Sequence, residues 1–304
     1  MAAPLLTRKR VIKVLAEETK GTKIAATSAI RVYDPQINPT SPFEQRKGTG
    51  LYLGNEEAGV LGERSGNLTF STELKGTGST GLDAGLAILL QGCGFLKTLE
   101  VYNLHSTHTA QSCLSFDTWL DGMKKGLAGA MGSVKIGGEV GKRVMCDFEY
   151  SGIWQAPTDE ALPAYAPGAN APAYLRGGTL TLGGTSIKIG SFSLDIGCQV
   201  VARLDPDATG GIAYYMVTDY DPVITIDPEG DTVDANDFFG LWLAGTEVAL
   251  SLALSSGDDT ITIAAPKVQY KEISEADRNG IATNSITGQC NHSAGNDAVT
   301  ITVT

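Results

Sequence analysis

Residues 66–75 carry the clearest pattern in the chain. Leu68, Phe70, Thr72 and Leu74 alternate with Thr69, Ser71, Glu73 and Lys75. A period of two puts one set on a mostly apolar face and the other on a polar face, so the stretch predicts a strand. A glycine-rich turn, GTGSTG, follows at 76–81. Residues 82–91 are then mostly apolar, with Asp83 near the start and Gly92 and Gly94 beyond the end, which predicts a short helix. A second strand is expected at 99–102.

The same reading extends along the chain. Residues 29–33 predict a strand, and 34–62 an extended loop carrying Pro35, Pro39 and Pro42. Residues 113–122 and 130–153 read as strands, with a hairpin through Gly137, Gly138 and Gly141. Pro157, Pro163, Pro167 and Pro172 mark a Pro/Ala-rich linker. Beyond it, 177–184 and 186–190 form a hairpin, and 191–204 and 214–226 are long strands. Residues 234–244 predict a second short helix with Asp234 as N-cap. Strands at 247–256, 260–273 and 298–304 complete the chain, with a loop at 277–280. The pattern divides into a basic arm (1–31), a first β half (32–156), a linker (157–173) and a second β half (174–304). GNLTFSTEL compares with GSFSLDIGC, and LAILLQG with FFGLWLAG, which suggests a divergent duplication. The expected class is mainly β, a β-sandwich or half-barrel with short flanking helices.

Composition sharpens this. The 304 residues include 37 glycines, above the usual ~7% share, which favours many turns between short strands. A net charge of -11 argues against ordinary nucleic-acid binding, whose affinity comes from neutralising phosphates. It does not argue against a protein that lies near DNA without holding it. Basic residues concentrate in the arm: Arg8, Lys9, Arg10, Lys13, Lys20, Lys23 and Arg31 face only Glu17 and Glu18. A solvated arm, or one docking on an acidic neighbour, is favoured over nucleic-acid or membrane contact. Residues 11–15 suit a helix or a strand equally. Five scattered cysteines with no CxxC signal neither a zinc site nor a disulfide framework, so reduced thiols are expected. No secretory leader is expected, because charges lie inside the first apolar run. No apolar run is long enough to span a membrane.

Candidate chemistry is sparse. Gly76, Gly78 and Gly81 spell G-x-G-x-x-G between a strand and a helix, and Glu100 lies about 20 residues on. Such glycines let a backbone approach a pyrophosphate at a helix N-terminus. Here the preceding strand is half polar, unlike a strand buried on both faces, and no helix–strand alternation follows. The favoured reading is a connecting loop. His105 and His108 would point to opposite faces of a strand, which does not make a shared metal site. No Ser–His–Asp arrangement or G-x-S-x-G is present. DPDATGG and DPEGD lack the spacing of a calcium loop and read as turns. The chain therefore reads as a non-enzyme without a cofactor.

Several stretches taken in order resemble one family: RKRVIKVLAEETKGT, ATSAIRVYDPQINP, SGNLTFSTELKGTGSTG leading into AILLQGCGF, LDGMKKGLAGAMGSVKIGGEVGKRVMCDFEYSGI, and NDAVTITVT. Together they resemble the major tail tube proteins of long-tailed, non-contractile bacteriophages. The motifs are diffuse and none is a catalytic signature; their joint order over nearly the whole chain carries the resemblance. It implies a virion protein made in the host bacterial cytoplasm. It also implies rings whose inner strands close one β-barrel, stacked into a conduit for genomic DNA that is not specifically bound. A trimeric ring with pseudo-six-fold symmetry is preferred and a hexamer is the alternative. A tape-measure protein and tail terminator and tip proteins are the further partners implied.

An acidic wall suits such a conduit, because it offers phosphates no binding minimum. Glu73, Asp147, Glu149 and Asp195 sit on predicted strands opposite apolar neighbours and are the candidate lumen-facing acids. Arg8, Lys9, Arg10, Lys13, Arg46 and Lys47 are candidates for ring stacking, by analogy. The competing readings are a carbohydrate-binding or adhesive β-sandwich, disfavoured because Trp119, Trp154 and Trp242 are scattered, and a dinucleotide enzyme using Gly76–Gly81.

Overall fold

The computed structural model describes residues 4–50, 57–79 and 81–304. The first part of the chain forms β1 (Arg10–Ala16), β2 (Ser28–Ile30), β3 (Tyr33–Thr40), β4 (Phe43–Glu44), β5 (Val60–Leu61) and β6 (Ser65–Glu73). Helix α1 (Ala84–Gly92) follows, then β7 (Phe95–Thr98), β8 (Val101–Leu104), β9 (Leu114–Leu120), β10 (Met123–Glu139) and β11 (Met145–Asp159). The second part forms β12 (Tyr174–Leu182), β13 (Thr185–Ile187), β14 (Ile189–Asp195), β15 (Cys198–Leu204), β16 (Ile212–Tyr220) and β17 (Val223–Pro228). Helix α2 (Phe238–Ala244), β18 (Glu247–Ser256), β19 (Asp259–Arg278), β20 (Ile281–Asn291) and β21 (Thr300–Val303) end it. The protein is mainly β, and every ladder is antiparallel.

Two long strands organise the sheet. One edge of β10 pairs with β11 throughout; the other pairs first with β9 and then with β14. Likewise β19 pairs with β18 on one edge, and with β21 and then β20 on the other. Pro266, which has no N–H to donate, falls where β19 changes partner from β21 to β20. Followed from strand to strand, the ladders branch but never return to their start, so the sheet is open among the described residues.

One core runs through both halves. Phe70, Phe116, Phe148 and Tyr150 pack below α1, with Phe116 and Tyr150 centroids 4.7 Å apart. The same cluster continues through Leu194, Ile226, Leu252, Ile263 and Ile301. A smaller cluster (Cys113, Met131, Ile212, Tyr215, Val217) lies where the β15–β16 hairpin folds over β10 and β11. Gly129 makes this close approach possible. It sits at the β10 bulge with φ +57°, and a Cβ there would meet Tyr214 and Gly21 backbone at 3.1 Å.

Several expectations change. The arm is not free, because Arg10–Ala16 is a strand between β2 and β9 with Val11, Ile12 and Val14 buried. Tertiary pairing settles the helix-or-strand ambiguity there. The first part of the 34–62 loop is β3, an edge strand, where Pro35 and Pro39 are tolerated; residues 51–56 of that loop lie outside the described residues. The strand expected at 99–102 is half of the β7–β8 hairpin, which turns at Leu99 (φ +57°). Strand β11 runs on to Asp159, so the linker begins later than expected. The halves are also less separate than their patterns suggest, since the β10–β14 and β8–β21 ladders both cross between them. The predicted 191–204 and 214–226 strands each break, at Gly197 and at Asp221–Pro222. Asp237, not Asp234, caps α2, accepting a 2.7 Å bond from the Gly240 N–H.

Candidate functional site: a continuous polar sheet face

The strand order β3–β6–β11–β10–β14–β17–β20–β19 makes one uninterrupted eight-strand array. Alternation gives it two unlike faces. One carries Leu68, Phe70, Phe148, Tyr150, Val134, Ile136, Phe192, Leu194, Ile224, Ile226 and Ile286, all in the core. The other carries Asn67, Thr69 and Ser71 on β6, Asp147 and Glu149 on β11, and Ser133 and Lys135 on β10. It continues with Ser191, Ser193 and Asp195 on β14, Thr225 on β17, and Ser285 and Thr287 on β20. Short hydroxyls dominate it, and many are engaged laterally. The Ser71 hydroxyl donates to Asp147 (2.6 Å) and Asn67 Nδ2 to Glu149 (2.9 Å); Thr225 and Thr287 hydroxyls lie 3.5 Å apart. Such bonds hold side chains flat against the sheet.

The four acids expected to face a lumen share the parity of this face, but not one environment. Asp147, Glu149 and Asp195 are exposed. Asp195 ends β14 and accepts from the Gly197 N–H at 3.0 Å. Lys135 stands opposite Asp147 on one side and Asp195 on the other by register. It is an exposed base between these two acids, and the alternation of 132–138 could have identified it. Glu73 is different. Its side chain is 7% exposed, paired with Arg143 at 2.9 Å, and accepts from the Tyr33 hydroxyl at 2.7 Å. The Tyr33 phenol is pushed up by its desolvation and then by Glu73. Glu73 therefore locks the start of β3 to the end of β6 and offers little free charge, which corrects its assignment.

The basic candidates are not brought together. Lys9 pairs with Asp121 at 3.2 Å, and Arg46 pairs with Glu57. Lys13 lies 5.9 Å over the Trp119 ring, within the sheet rather than at an edge. Arg10 donates to the Pro35 carbonyl, Arg8 is exposed beside it, and Lys47 is exposed on the segment after β4.

The glycine loop is a strap between the halves. The Gly76 N–H donates to Ser256 Oγ (3.1 Å) and the Gly78 N–H to the Asp259 carboxylate (2.7 Å); Asn170 Nδ2 donates to the Gly76 carbonyl (3.0 Å). Asp259 is 3% exposed. The place a pyrophosphate would need is thus filled by a buried side chain of this same chain. A Cβ at Gly76 would meet that carboxylate at 2.0 Å, which explains the glycine. With only antiparallel ladders present, the loop also lacks the parallel crossover of a dinucleotide site.

The five cysteines are free. Burial pushes the Cys113, Cys198 and Cys290 thiols up to about 12, so none has the thiolate character that reactivity requires. Among the described residues, no group of three or more metal-ligating side chains converges. Among the same residues, no helix is long and apolar enough to cross a membrane. No protein-family model and no curated protein sequence matches the chain.

Proposed function

We propose that this protein is a self-assembling structural subunit of a DNA conduit, a phage tail tube. The observation that carries the reading is the eight-strand array, apolar on one face and polar on the other except where the β15–β16 hairpin covers Met131 and Ile153, with unpaired edges at β3 and at the end of β19. Open edges invite pairing with another chain, and closure between copies removes them. Exposed Asp147, Glu149 and Asp195 against Lys135 give the polar face a mild negative balance. A wall of that kind repels phosphates weakly and binds none, so a duplex slides.

Dimensions favour three copies per ring. At about 4.8 Å per strand, eight strands span about 38 Å, and three copies close a ring about 37 Å across between backbones. Facing side chains take up roughly 10 Å, leaving a bore near 27 Å before strand tilt widens it. A duplex, with groove depths of about 8.5 and 7.5 Å, has a body of roughly 20 Å. Two copies would leave about 14 Å untilted, and about 20 Å at barrel tilts, which only grazes it. Six copies would leave a bore of more than about 60 Å, too wide to guide a single duplex.

Negative-stain microscopy of the purified protein across a concentration series tests this. Hollow rings or tubes whose averages show three subunits are expected. A monomer at every concentration, including after seeding with preformed tail tips, would remove the reading.

A further inference from the structure

The two edges of the array carry unlike surfaces. Along β3 runs a groove of about 650 Å³. Val32, Pro35 and Tyr165 supply its apolar lining over the buried Ile30; Arg8 and Arg10 carry its positive charge against the single acid Asp34. Neither arginine has an acidic partner within 4 Å among the described residues. The buried Nε of Arg10 has no hydrogen-bond partner at all. Such a group costs free energy until something accepts from it.

At the other end of the array, α2 lies against β19, tied to it by Trp242 Nε1 donating to the Lys271 carbonyl at 3.4 Å. Only Phe238 of this helix is buried. Val233 is 70% exposed, Phe239 45%, Trp242 42% and Leu243 82%. Asp231 and Asp234 flank Val233 just ahead of the helix. An acid-led apolar helix at one edge and an arginine-flanked apolar groove at the other complement each other in charge and in polarity. A contact between unlike patches is heterologous, and closes a ring when its rotation fits.

We propose that α2 and the acidic turn before it seat in the Arg8–Arg10 groove of a neighbouring copy, so that this contact fastens the ring outside its sheet. The proposal rests on the ring reading above. Its partner is a second copy of this chain, with Asp231 and Asp234 facing Arg8 and Arg10, and Trp242 and Leu243 covering Val32, Pro35 and Tyr165.

Two single variants, Leu243→Cys and Tyr165→Cys, test it. Both positions are exposed, so neither change should disturb folding. Treated with a short bis-maleimide, an equal mixture should give cross-linked dimers, while either variant alone or the unmodified chain should not. Arg8→Glu should raise the concentration needed for assembly about tenfold, and adding Asp234→Arg should restore it. Rings that form at the unmodified concentration in Arg8→Glu, with no 165–243 cross-link, would overturn this contact and leave the ring reading intact. If the unmodified chain never oligomerises, both fall together.

Discussion

Helices α1 and α2 are both short and almost wholly apolar, yet have opposite fates. AGLAILLQG buries Leu86, Leu89 and Leu90 beneath β1, β2, β9 and β10, and the Tyr150 hydroxyl donates to the Leu89 carbonyl at 2.7 Å. FFGLWLA packs chiefly on β19, burying Phe238 but leaving Phe239, Trp242 and Leu243 between 42% and 82% exposed. Burying a Leu-sized side chain is worth about 1.5–3 kcal/mol, so α1 is part of what holds the fold. An exposed apolar helix contributes little to the monomer, and contiguous apolar surface on a soluble protein marks an interaction site. The chain thus uses one helix for folding and leaves the other exposed, where the proposed contact would seat it.

The largest expected effect is in the core. Leu89→Ala should cost about 2–5 kcal/mol of stability, read as a lowered midpoint of chemical denaturation. A loss below about 1 kcal/mol would mean that α1 is not built into the core. The two caps should then separate the helices more finely. Asp83 accepts from the Gly85 N–H at 3.2 Å and lies 3.7 Å from Lys75 in a site where both side chains are almost covered. Asp83→Ala should cost about 2–3 kcal/mol, because it also strands a buried ammonium. Asp237→Ala, at the exposed cap of α2, should cost about 1 kcal/mol or less. Equal losses in the two variants would break the comparison. Leu243→Ser should move stability by no more than about 0.5 kcal/mol while weakening assembly.

A smaller effect concerns Glu17, which ties β1 to the bulge of β10. Its carboxylate accepts 2.7 Å bonds from the Gly129 N–H, the Ser115 hydroxyl and the Gly21 N–H. Burial nonetheless raises it above the usual carboxylate range. The folded state therefore binds this proton more tightly than the unfolded chain. The contribution of Glu17 is fully present below the unfolded value and is lost as pH rises through the folded one. Thermal melts between about pH 4 and 7 should fall less steeply in Glu17→Gln than in the unmodified chain. Parallel curves would refute this. The least expected change in stability is at the polar face. Replacing Asp147, Glu149 and Asp195 by lysine should leave the monomer near its original midpoint, yet make assembled tubes retain duplex DNA in a salt-dependent way. Tubes that still release DNA at low salt would remove those acids from the bore.

Much of the local structure is legible in the sequence because its causes are local. Alternation gave the two faces of β6, Asp83 announced α1, and Gly183–Gly184 announced the β12–β13 turn. Strands whose residues are poor strand formers escaped. Residues 123–129, MKKGLAG, hold two glycines, a leucine and an alanine in place of β-branched residues, yet run between β9 and β11. IATNSITGQCN became β20 because β17 and β19 flank it, not because its own pattern is strong.

Strand parity, turn chemistry and helix capping depend on residues within a few positions of one another, so the sequence alone determined a mainly β protein with one apolar face per strand. It also placed Asp147, Glu149 and Asp195 on the polar side. Ladder partners depend on residues far apart in the chain, and a period of two does not say which strand lies alongside. Only the tertiary structure decided that β10 leaves β9 for β14 and so joins two half-sheets into one array. It also decided that Arg143 closes over Glu73, and that Asp259, 181 residues from Gly78, fills the glycine loop.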